Sequence, residues 1–148
     1  GRRGRIALVL AAALLIAWNG FLLELVRQRR VKSSSSGAYP ASVWVRWVQD
    51  VATAHWSAVA RAEDIAAYVW VVVRHEIDYL GNVSPGESVT ARTWISDPPK
   101  GARFDRNVEF LNAAGKAVVR AKTTWAMIDR ASGRIARVRD EIAAPFFA

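Results

Sequence analysis

Cysteine is absent from the 148 residues, which removes disulfides, thiol nucleophiles and Cys-based metal sites together. Histidine occurs only twice, as His55 and His75. A three-His zinc site is therefore excluded, and a His-dependent triad would have to use one of these two. A Gly-rich phosphate loop is also missing: the PGES and PPKG segments form turns and do not cradle phosphates. What is present argues for a packed domain. Hydrophobic residues make up 52% and seven residues are Trp, which rules out wholesale disorder. The length suits one domain with a real core and is too short for two.

Positive charge is plentiful but unevenly placed. The net charge is +8, yet residues 1–32 hold seven Lys/Arg against one acid, and the other 116 residues hold fourteen against twelve. The basicity belongs to a terminal segment and the body is nearly balanced, so no nucleic-acid partner is expected.

Residues Ile6 to Leu23 are almost wholly apolar, broken by Asn19 and Gly20, with Arg2, Arg3 and Arg5 before them and Arg27, Arg29, Arg30 and Lys32 after. Two parsings remain open. Eighteen residues sit at the lower edge of a membrane span of about 20, and charge at both ends sets orientation poorly. No small-x-small cleavage pattern follows cleanly, so a secretory signal fits less well. Alternatively, Asn19-Gly20 ends a short helix and Phe21 to Lys32 alternates as a strand, leaving too few apolar residues to cross a bilayer. The domain plan is a basic apolar segment over 1–32, a Ser-rich connector over 33–41 (SSSSG within it), and a folded domain over 42–148. A cytoplasmic location is expected, with residues 6–23 as a route to a membrane.

Ser42 offers an N-cap for a helix in which Trp44, Trp47, Val48, Val51, Ala54, His55, Ala58 and Val59 recur at helical spacing. Arg46, Gln49, Asp50 and Thr53 form a thinner polar side. A helix this apolar needs a sheet around it. From Tyr68 the period becomes two: Val71, Val73, His75, Ile77 and Tyr79; then Val89, Ala91, Thr93 and Ile95; then Phe104, Arg106, Val108 and Phe110; then Val119, Ala121, Thr123, Trp125 and Met127. Turn formers separate these runs, which predicts four consecutive antiparallel strands in a meander. One long helix before such a sheet is an α+β layer architecture.

The runs VVVRHEIDYLGNVSPGESVTARTWI, RFDRNVEFLNAAGKAVVRAKTTWAMID and RVRDEIAAPF, with the helix VWVRWVQDVATAHW, resemble the 4-hydroxybenzoyl-CoA thioesterase-like branch of the hotdog superfamily across residues 37–146. The resemblance implies a hotdog fold, a long central helix wrapped by a curved antiparallel sheet. It also implies a homo-oligomer with acyl-CoA or acyl-carrier thioester sites at the dimer interface, and no cofactor beyond the CoA of the substrate. Trp94 and Trp125 would then be either interface aromatics or covers of the core edge.

Thioester hydrolysis needs a carboxylate as base or nucleophile, and donors for the developing oxyanion. The resemblance places that acid just before the helix, at about Ser34 within KSSSS, so the acid is replaced and hydrolysis is expected to be impaired. Gly37 matches a position whose backbone approaches the thioester carbonyl. Asp50 is the nearest intact acid and the substitute base, against a purely solvated role on the helix. Tyr39 lines the acyl pocket or caps the core. His75 reaches the site or simply packs. Lys100 and Arg103 in PPKGAR are the phosphate donors, ahead of Arg74 and Arg137. No metal site is expected. Three functions follow: an acyl-CoA thioesterase, a non-catalytic acyl-binding or scaffolding hotdog module, or a membrane-tethered accessory domain. Because resemblance stops upstream of Gly37, residues 1–36 are also a candidate for a foreign start, by frame shift or engineered replacement.

Overall fold

The computed structural model describes residues 9–11, 21–26, 39–84 and 86–147. Two strands come first, β1 (Val9–Ala11) and β2 (Phe21–Val26), paired antiparallel. Helix α1 (Ala41–Val59) and the short α2 (Ala62–Ala67) follow. Four longer strands come next: β3 (Tyr68–Tyr79), β4 (Val89–Trp94), β5 (Arg103–Leu111) and β6 (Ala117–Asp129). A one-turn helix α3 (Asp140–Ala143) and a 3-10 turn (Ala144–Phe146) close the described chain.

All six strands form one antiparallel sheet in the order β1-β2-β4-β5-β6-β3. Only β4, β5 and β6 make the expected meander. β3 pairs with β6 instead of β4, and β2 takes the place beside β4. The reason is the connection between β3 and β4, nine residues from Leu80 to Ser88, too long for a tight hairpin. By contrast, β5 and β6 are joined by Asn112 to Lys116, where the Asn112 side chain accepts from the Ala114 and Lys116 amides at 3.1 and 2.9 Å. Such an Asn turn fixes the hairpin locally.

The segment at Ile6–Leu23 is described only at Val9–Ala11 and from Phe21 on. Val9–Ala11 is strand, where the second parsing expects helix, and Phe21–Val26 is strand as that parsing expects. Among the described residues, no helix is long and apolar enough to cross a membrane.

Helix α1 starts earlier than Ser42 implies. Pro40 holds the cap position at φ −68°, without a side-chain cap bond, and its carbonyl accepts from Val43 N at 3.0 Å. Proline's fixed φ suits a helix entry, so a hydroxyl cap is dispensable. The helix buries Trp44, Trp47, Val48, Val51, Ala52 and His55. Its N-terminal half meets Val89, Ala91, Val108, Phe110 and Val119 of the sheet, closed by Tyr39. Trp44 stands edge-on to Trp47 and Phe110 with ring centroids 5.0 and 5.3 Å apart. Its C-terminal half adjoins a second cluster, in which Trp56, Tyr68 and Trp70 pack around Phe104, Met127, Ile142 and Phe146.

A bulge at Val73 alters the reading of β3. Val72 pairs with Trp125 and Arg74 with Thr124, so Val73 is the extra residue. The strand's parity flips there: Tyr68, Trp70 and Val72 are half-buried before it, and His75 and Ile77 after it, whereas Val71 and Val73 point out. A bulge permits this because two residues oppose one on the partner. A straight alternation from Val71 to Tyr79 therefore fails in the middle.

The outer face is held by charge across the register. Glu109 sits directly opposite Arg92 on β4 and Arg120 on β6, and its carboxylate bonds to both guanidinium groups. Burial alone would raise the Glu109 carboxyl, but the hydrogen bonds from Arg92 and Arg120 outweigh it and hold it below its ordinary value.

Candidate active site

A cavity of about 250 Å³ lies between the C-terminal half of α1 and the inner face of β3, β5 and β6. Its walls are aromatic. Trp56 and Trp70 meet edge-on at 5.4 Å, Phe146 stacks on Trp56 at 5.7 Å, and Trp125 and Phe104 complete the surround. Thr53, Ser57, Val69 and Arg130, all exposed, mark the mouth, and Arg106, Ile95 and Phe104, all buried, mark the floor.

Arg106 is 6% exposed. It reaches the interior because β5 alternates its side chains, placing Phe104, Arg106, Val108 and Phe110 on the helix-facing side, while Glu109 is buried on the other face between Arg92 and Arg120. Its Nη1 donates to His55 Nδ1 at 2.6 Å and to Thr93 Oγ1 at 3.0 Å, and Thr93 in turn donates to the Asn107 carbonyl at 2.8 Å. Burial, and then the Arg106 charge, push the His55 ring down to about 3, so it is neutral and free to accept through Nδ1. Burial lowers Arg106 as well, to about 10, which leaves it charged at neutral pH.

Asp50 is half-buried on α1 and makes no ion pair among the described residues. It precedes Thr53 and Ser57 by one and two turns on the same helix face, and does not itself line the cavity. His75 lies on the inner face of β3, beyond Trp70. Its Nδ1 bonds with Thr123 Oγ1 at 2.9 Å, its Nε2 is buried without a partner, and burial lowers its pKa.

The other sequence candidates lie elsewhere. Tyr39 is buried against Trp44 and Trp47 in the first core cluster and does not line the cavity. Lys100 and Arg103 close a tight turn through reciprocal backbone bonds of 2.8 and 3.0 Å, both with exposed side chains, and Arg103 immediately precedes the cavity-lining Phe104. Arg74 is occupied by Glu76 at 2.6 Å. Ser34 and Gly37 lie outside the described residues. Of the two tryptophans, Trp125 lines the cavity, and Trp94 lies 6.0 Å beneath the Arg92 guanidinium. Sequence reasoning missed Arg106, His55 as its acceptor, and Phe146. The available signal was a lone arginine on the apolar phase of an alternating strand.

A long apolar helix held against a curved antiparallel sheet, with an aromatic acyl-sized hollow between them, defines a hotdog-fold protein of the thioesterase superfamily. The chain belongs to the acyl-ACP thioesterase family: the model of the acyl-ACP thioesterase N-terminal domain matches residues 40–146. A chloroplastic acyl-(acyl-carrier-protein) hydrolase of Cuphea viscosissima is 27% identical over 75 residues, 50% of this chain but only 18% of the plant protein. The fold is shared with a 1,4-dihydroxy-2-naphthoyl-CoA thioesterase from Synechocystis (TM-score 0.69, 16% identity, 86% of this chain and 95% of that one). It is also shared with a 12:0-ACP thioesterase from Umbellularia californica (TM-score 0.70, 15% identity, 87% of this chain and 54% of that one). An acyl-ACP thioesterase from Bacteroides thetaiotaomicron behaves likewise (TM-score 0.70, 20% identity, 80% of this chain and 49% of that one). The chain therefore spans about half the length of these two acyl-ACP enzymes.

Proposed function

We propose that this chain is the acyl-binding hotdog unit of a thioester hydrolase acting on acyl-carrier or acyl-CoA substrates. The observation that carries the reading is the aromatic cavity of about 250 Å³ lined on α1 by Ala52, Thr53, Trp56 and Ser57, with Asp50 one helical turn before Thr53. In this arrangement the acyl group enters the cavity and the thioester carbonyl stays at the mouth. Asp50 there activates water or attacks the carbonyl directly, the two routes by which a carboxylate opens a thioester. His75, on the inner face of β3 beyond the cavity-lining Trp70, offers a further polar atom, its buried Nε2. The exposed Lys100 and Arg103 suit the phosphates of the carrier's pantetheine arm or of CoA.

A second hotdog unit completes the site. β3 is the last strand of the sheet, and its outer face exposes Val71 and Val73 at 44% and 47%. A twelve-residue open edge carrying valines pairs readily with another strand. A non-catalytic reading is favoured by one observation, the serine run that replaces the expected acid at Ser34. The two readings separate on thiol release from hexanoyl-, lauroyl- and benzoyl-CoA and their acyl-carrier counterparts. Release above the protein-free rate supports the hydrolase. Binding of these thioesters without release from any of them leaves the non-catalytic module.

A further inference from the structure

The cavity floor carries a charge that no described carboxylate balances. A guanidinium has five N–H donors and no acceptor. Arg106 uses only Nη1, toward the neutral His55 ring and the Thr93 hydroxyl. Among the described residues, no carboxylate lies within ion-pair distance of it, and Phe146 offers only a ring face at 5.8 Å. A buried cation is ordinarily paired or neutralised, and Arg106 is neither.

The rest of the lining has the same sign. Arg106 and Arg130 both line the cavity and, among the described residues, no Asp or Glu does. Trp70 and Trp125 also line it, and the indole Nε1–H of each is buried without an acceptor. The polar inventory is thus donors in excess, set in aromatic walls. The volume, about 250 Å³, falls just under the ~300–1,000 Å³ typical of drug-sized ligands. That space suits a short or single-ring acyl group better than a long alkyl chain.

We infer that Arg106 is a specificity-determining residue: it binds a carboxylate at the end of the acyl group remote from the thioester, so the cavity selects short or single-ring acyl thioesters that carry a terminal anionic oxygen. This rests on the proposal that the cavity holds the acyl group. The open Nε and Nη2 donors provide the fork that a carboxylate fills in bidentate fashion. His55 and Thr93 hold the third nitrogen, which fixes the plane of the fork.

The test is direct binding, read by quenching of the cavity tryptophans at pH 7.5, with two probes of one shape. One is 4-(methoxycarbonyl)benzoate, an anion; the other is 4-(methoxycarbonyl)benzamide, its neutral counterpart. The wild-type chain should bind the anion about tenfold or more tightly than the amide, as a charge-assisted bond implies. Arg106→Gln should lose that preference and Arg106→Lys should keep part of it, with circular dichroism reporting the fold of each. Equal binding of the two probes by wild type, no binding of either, or a preference that survives in a folded Arg106→Gln would overturn the inference. The wild-type comparison stands even if a variant fails to fold. Anion preference without thiol release would leave this inference intact and remove the hydrolase reading, and thiol release without anion preference would do the reverse.

Discussion

Arg106 Nη1 and His55 Nδ1 stand 2.6 Å apart, a cation donating to a ring that must stay neutral to receive it. Protonating His55 would place two positive groups face to face in the interior, so the pair couples folding to pH.

The sign follows from the ring's proton affinity. Folded, His55 sits at about 3, against an ordinary value of 6.5. Between those values the unfolded chain holds more protons, so stability is complete above about pH 6.5 and falls as pH drops, by up to ~1.4 kcal/mol per pH unit. His75 is lowered too and adds to the same slope. Thermal melts from pH 8 to pH 4.5 should be level at first and then decline. His55→Gln keeps an acceptor for Arg106 without a titrating ring, and its decline should be shallower. Identical profiles would contradict the coupling.

Phe110 is fully buried beside Trp44 and Trp47. Phe110→Ala should cost about 3–5 kcal/mol in urea or guanidinium unfolding, because the two indoles cannot collapse into the space. A loss under about 1 kcal/mol would mean the helix is not seated as described.

Asp50→Asn keeps the shape of the side chain and removes its basicity. Thiol release should fall about 10²–10⁴-fold while the melting temperature stays near that of wild type. Unchanged turnover would place the base elsewhere. A parallel gain of activity in Ser34→Asp would show that the serine run is what limits the unaltered chain.

Val71 and Val73 face away from the core, so Val71→Lys and Val73→Lys should leave the unit folded and interrupt its edge. Sedimentation velocity should then show a smaller species than wild type. An unchanged sedimentation coefficient would exclude this edge as the contact.

Much of the architecture could be read from residue periodicity. The long helix with Trp44 and Trp47 inward, and the four later strands, emerge directly from periods of 3.6 and two, because each element buries one face. Order in the sheet did not, since sequence marks where strands lie but not which of them pair, and β3 pairs with β6 while β2 takes the place beside β4. The Val73 bulge was invisible because an inserted residue looks like any other in an alternating run. The site was the least legible part. Asp50 stood out as a lone acid on a polar stripe but does not line the hollow, whereas Arg106 sat in plain view among apolar neighbours, and only packing reveals that it faces the hollow. Phe146 and α3 were missed because a four-residue helix is too short to show a period.

The bulge at Val73 divides β3 into two halves that serve different clusters. Upstream, Tyr68 and Trp70 shape the hollow; downstream, Ile77 braces the main core. Substitutions at 68–72 act on the hollow and, through Trp70, on Trp56 of α1, whereas deleting residue 73 would straighten the ladder and leave His75 opposite Thr123 and Ile77 opposite Ala121. A single surplus residue thus separates what the strand recognises from what it supports.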